Sequence, residues 1–118
     1  MIQVKVTRNR NGHIDAFTIS GHAGAGPAGF DLVCAGVSSV SFGAVNAVEA
    51  LCGFSLLIDQ NPNGGYLHGR LPDGLEAGKR KKAELLLEGM VVALRTIEMS
   101  YGKYIKVNDE GGVFHVET

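Results

Sequence analysis

GHAGAGPAGFDLVCAGVSS, residues 21–39, is where the 118-residue chain changes from one hydrophobic period to another. Upstream, apolar residues alternate as in a half-buried strand; downstream, they recur every three or four positions as on a helix face. His22 ends the strand. Gly21, Gly24, Gly26 and Gly29, set among alanines and Pro27, make the connection. Asp31 suits the helix N-cap, its carboxylate accepting a hydrogen bond from an early N–H. Cys34 then falls in the first helical turn, where unpaired N–H groups and the dipole favour thiolate over thiol. Its expected titration is below the roughly 8.5 of an ordinary thiol. His22 lies twelve residues upstream on a connection able to fold back, so the chemistry indicated is a cysteine nucleophile with a histidine partner. The loop from Ala23 to Phe30 is expected to be mobile alone and ordered by substrate, with Phe30, its one large apolar side chain, folding over the bound chain.

Working outward, Ile2, Val4 and Val6 alternate with polar residues, Asn9 to Gly12 reads as a turn, and His13 to Ser20 returns as a second strand. The parity change between Ile14 and Phe17 indicates a bulge. Helix one runs from about Leu32 to Cys52, with Val33, Val37, Val40, Ala44, Val48 and Leu51 as its buried stripe and Gly53 just past its end. Cys34 stands one step off that stripe. Gly36 and Gly43, seven apart, offer close approach to another backbone. Phe54 to Asp59 reads as a buried strand, residues 61–65 as a turn and Tyr66 to Leu71 as the partner strand. Helix two begins between Glu76 and Lys79 and ends near Tyr101, burying Ala83, Leu86, Met90, Leu94, Ile97 and Tyr101. Tyr104 to Val107 and Val113 to Val116 form a last hairpin. The order β-β-α-β-β-α-β-β predicts an α+β two-layer sandwich, two helices on a sheet of about six strands, as one domain over residues 1–118.

Composition narrows the function. Apolar residues are 45% and charged residues 19%, the balance of a folded protein. A net charge of −1 provides no global basic field, which argues against direct nucleic-acid binding. No apolar run approaches the roughly 18 residues of a membrane span, and no signal-peptide pattern marks the first strand. The expectation is a cytoplasmic protein with no membrane partner, its two cysteines both thiols.

Other residues have plainer readings. Asp31 is a cap first and an orienter of His22 second. Ser38, one turn after Cys34, is a supporting residue near the sulfur. Cys52, away from a helix N-terminus, reads as an inert core thiol. His13, His68 and His115 show no metal-ligand spacing with the cysteines, so neither metal nor cofactor is expected. Lys79 to Lys82 reads as a solvated helix face, with a basic nucleic-acid contact patch as the alternative.

Gly21-His22-Ala23-Gly24, followed by Asp31-Leu32-Val33-Cys34-Ala35 and Val37-Ser38, resembles the ribosomal-processing cysteine proteases, the Prp family. The likeness in element order covers almost the whole chain. It implies Cys34 as nucleophile and His22 as general base. The implied substrate is the N-terminal extension of large-subunit ribosomal protein twenty-seven, cut after an apolar, aromatic-containing stretch. It also implies a homodimer. Ala25 stands where an aromatic often follows the first motif, and Gly36 replaces a common alanine; both bear on the substrate pocket. The alternative from another class is a non-catalytic, ribosome-associated binding module in which Cys34 is structural.

Overall fold

The computed structural model describes residues 1–21 and 30–109, with the backbone alone at 30 and 31. Its elements run β1 (Ile2–Arg8), β2 (Ile14–Ser20), α1 (Phe30–Cys52), β3 (Leu57–Gln60), β4 (Tyr66–Arg70), α2 (Ala77–Tyr101) and β5 (Ile105–Asp109). The described strands form one sheet in the order β3-β4-β2-β1-β5. This is the expected α+β two-layer architecture. The sixth strand, Val113 to Val116, lies outside the described residues. The chain's last described strand runs further than the sequence reading gave it, and the hairpin partner read for it lies outside the described residues. β5 extends to Asp109 and lies parallel to β1, Ile2 opposite Ile105 and Val6 opposite Asp109. Residues 108 and 109, read as loop, complete that ladder.

The hairpin β1–β2 carries the expected bulge. Thr7 faces Ala16 while Arg8 faces Ile14, so Asp15 is the additional residue. This shift puts both Ile14 and Phe17 in the core despite their odd separation.

α1 packs Val33, Val37 and Val48 into the core and ends at Gly53, whose φ of +77° is the left-handed cap. Leu51 departs from its expected place: it is 68% exposed, while Ser41 and Cys52 are buried. Gly36 lies near Ile97 of α2, whereas nothing approaches the Cβ position of Gly43. Averaged over Leu32–Cys52, α1 has a mean hydropathy of 1.4 and is long and apolar enough to cross a membrane. This departs from the expectation that no apolar run approaches a membrane span: serines, glycines and Asn46 divide the helix and mask its overall apolarity. Here its valines pack against the protein's own core.

α2 starts at Ala77, where the Glu76 carboxylate accepts the Gly78 N–H at 2.7 Å. Its buried face is centred on Leu87, Val91 and Leu94, with Ala83, Glu84 and Met90 beside them. The expected stripe is thus rotated: Leu86 and Ile97 are half-buried and Tyr101 is 39% exposed. The helix meets α1 and the sheet together, which widens its buried face beyond one stripe. β3 is shorter than Phe54 to Asp59 and all four of its residues are exposed, because it is the sheet edge. Leu56, just before it, takes the buried position.

An ion cluster invisible to hydrophobic patterning ties β1, α2 and β5. Arg8 donates to both oxygens of Asp109 at 2.8 and 2.9 Å, to Glu88 at 2.6 and 2.8 Å, and to the Gly12 carbonyl at 2.8 Å. The Arg8 and Asp109 side chains are 1% and 0% exposed. Hydrogen bonds donated to Glu88, then to Asp109, raise the Arg8 pKa and hold the guanidinium charged.

Candidate active site

A cleft of about 270 Å³ opens between α1 and one end of the sheet. Cys34 and Ser38 line it from the helix, Gly21 from the end of β2, and Gln60, Asn61, Gly64, Gly65 and Tyr66 from around the β3–β4 turn. Ile19, Leu67 and Phe42 give it an apolar wall. Three of the sequence-selected residues, Gly21 of the substrate loop, Cys34 and Ser38, are thereby brought together. His22, Ala23, Gly24, Gly26 and Gly29, and the side chains of Phe30 and Asp31, lie outside the described residues, as does the expected ordering of the loop by substrate.

Cys34 is half-buried and Cys52 buried, as expected of a core thiol; both are thiols. The helix begins at Phe30, earlier than the sequence suggested. Asp31 therefore stands within the first turn, and Cys34 opens the second instead of falling in the first. In such a helix the Cys34 N–H has the Phe30 carbonyl as its i−4 partner. Side chains on a helix lean toward its N-terminus, so a side chain at position 34 covers the preceding turn with its orphan N–H groups.

Gly21 closes β2 in a conformation few other residues adopt. Its φ is +94°, its N–H donates to the Gly65 carbonyl at 3.0 Å, and a Cβ would collide with the Met1 carbonyl. The strand exit before His22 is thus held on two sides: by the N-terminus and by the β3–β4 turn. Sequence reading took residues 61–65 only as a turn. The available signal was the paired glycines, Gly64 and Gly65, which let that turn lie against Gly21.

Ser41 also lines the cleft and was not selected from sequence. Its hydroxyl donates to the Val37 carbonyl at 2.7 Å, so it is committed to the helix backbone. Among the described residues no group of three His, Cys, Asp or Glu side chains could hold a metal ion.

The sequence model of the cysteine protease Prp family matches residues 1–106. The chain belongs to this family of cysteine proteases. It is 47% identical over 107 residues to the ribosomal processing cysteine protease Prp of Bacillus subtilis, covering 91% of this chain and 96% of that relative. Two structures of the S. aureus ribosomal processing protease Prp superpose on the fold. The complex with a substrate peptide gives a TM-score of 0.83 at 37% identity, and that with a covalently linked product peptide 0.80 at 39%. Each comparison covers 93% of this chain and 100% of the other. Prp membership selects a protease over the binding-module alternative and gives the thiol in the cleft a chemical context.

Proposed function

We propose that this protein is a ribosomal-processing endopeptidase in which Cys34 and His22 form the catalytic dyad. The observation that carries the reading is Cys34, placed in an apolar-walled cleft beside Gly21, the residue that precedes His22. His22 takes the thiol proton and the Cys34 sulfur attacks the scissile carbonyl carbon. As the C–N bond breaks, the imidazolium protonates the departing amine. Water then attacks the thioester, His22 accepting its proton, and the new carboxyl terminus leaves as the thiol is restored. Because the Cys34 N–H serves the helix, the oxyanion donors are assigned to the first turn of α1 ahead of it.

The substrate in this reading is the N-terminal extension of large-subunit ribosomal protein twenty-seven. The names of the curated relatives and the apolar wall of Ile19, Phe42 and Leu67 support it. The protein acts in the cytoplasm, where both thiols stay reduced, and as a homodimer. Leu85, Val92 and Met99, exposed and seven apart on α2, supply an apolar face for association. The test is incubation with the extended ribosomal protein, reading product masses. Wild type should yield two fragments from one cut, while Cys34→Ala and His22→Ala yield none and remain folded. An uncut substrate with wild type refutes the assignment.

A further inference from the structure

The two helices cover one face of the sheet, and the other carries a charge pattern that proteolysis leaves without a role. Gln3, Lys5 and Thr7 alternate with buried β1 residues and are exposed, as are Lys106 and Asn108 on β5. Strand register places Lys106 beside Gln3, Lys5 one row further along, and Arg70 one row beyond that, in line with Thr7 and Ala16. The three cations therefore lie on a diagonal across β5, β1 and β4, roughly 20 Å long from strand and residue spacing. The only acid on this face among the described residues is Asp59, on edge strand β3. The local excess is two positive charges on a chain whose total is −1.

These cations differ from the three arginines that the fold pairs; among the described residues Arg10, Lys79, Lys81, Lys82 and Lys103 also lack a carboxylate partner but lie off this face. Arg8, Arg80 and Arg95 face carboxylates on the helix side or at the bulge. Among the described residues, Lys5, Arg70 and Lys106 pair with none.

We propose that the open face of the sheet binds single-stranded RNA along this diagonal, an activity separate from the protease reading and independent of it. A line of separated cations fits a linear polyanion better than a compact anion, which requires convergent donors. Tyr66, which also borders the protease cleft, and His68 share the face on β4, and the small residues Ser20 and Thr18 stand opposite them on β2. That leaves room for flat bases beside two rings, the use to which open sheets are put in RNA recognition. Thr18 Oγ1 and His68 Nδ1, 2.9 Å apart, hydrogen-bond and fix the second ring. A depression of about 530 Å³ bordered by Lys5, Gln3, Ser20 and Asn108 adds amide and hydroxyl groups to the lysine. An acidic peptide would use the cations but not the rings, which is why the assignment is to nucleic acid.

Fluorescence anisotropy of the full chain with a labelled oligouridylate of about 10 nucleotides, across a potassium chloride series, tests this. Three neutralised phosphates predict a slope of log affinity against log salt near about −2. Lys5→Gln and Lys106→Gln should each reduce the magnitude by about 0.7, and the triple variant with Arg70→Gln should abolish salt-dependent binding. Tyr66→Ala should weaken binding about fivefold or more without changing the slope. Lys81→Glu with Lys82→Glu, on α2, should leave both unchanged. No binding by wild type at low salt, or an equal loss from the α2 variant, overturns the proposal. Equal competition by polyglutamate also overturns it and assigns the face to an acidic protein.

Discussion

Gly21 joins two requirements in one residue, a φ of +94° and a Cβ position occluded by the Met1 carbonyl. Gly21→Ala would strain the backbone and displace the N-terminus, costing about 1–3 kcal/mol. Because the shift falls beside the cleft, kcat/KM for a peptide substrate is expected to drop by about tenfold or more, beyond what the loss of folded protein explains. Circular dichroism melts run beside the kinetics separate the two effects; unchanged activity in the variant would show that the strand exit does not position the dyad. The motif containing Gly21 was legible in the sequence. Its reason was not, since the Met1 carbonyl is brought there only by the β1–β2 ladder.

At the scale of elements, both helices and the first hairpin followed from period and turn chemistry, including the bulge between Ile14 and Phe17. What escaped was set by neighbours. β3 looked like a buried strand because Leu56, Leu57 and Ile58 are consecutive and apolar, but only its place at the sheet edge decides that Leu57 and Ile58 are exposed. The rotated face of α2 has the same origin, since α1 and the sheet claim it together. A further neighbour effect joins β2 to β4. Phe17 lies opposite Gly69, and a Cβ there would stand 2.7 Å from the ring, which is 1% exposed and has nowhere to move. Gly69→Ala should destabilise by about 1–3 kcal/mol through overpacking. In urea denaturation, adding Phe17→Leu should recover part of that loss; strictly additive losses would contradict the packing account.

For the whole molecule, the parallel β5 and its ion cluster explain how the chain's distant parts are held together. Arg8→Met leaves Asp109 buried without its principal partner and should cost about 3–5 kcal/mol, measured by chemical denaturation. A loss below about 1 kcal/mol would show that Arg95, whose guanidinium is 4.0 Å from Asp109, can substitute. The same topology brings β2, α1 and the β3–β4 turn to one cleft, where Cys34 and Ser38 meet Gly21. Cys34 stood out in sequence as the proposed nucleophile, but the cleft wall did not, because Phe42 and Leu67 converge only through folding. In the proposed mechanism Cys34 is the group that attacks substrate. The most direct measurement treats the protein with a substrate-like peptide carrying a chloromethyl ketone at the scissile position, followed by intact-mass and fragment analysis. The predicted result is one adduct per chain, on Cys34, with cleavage lost in proportion to labelling. An adduct on Cys52, or full cleavage by protein labelled to completion at Cys34, would contradict it.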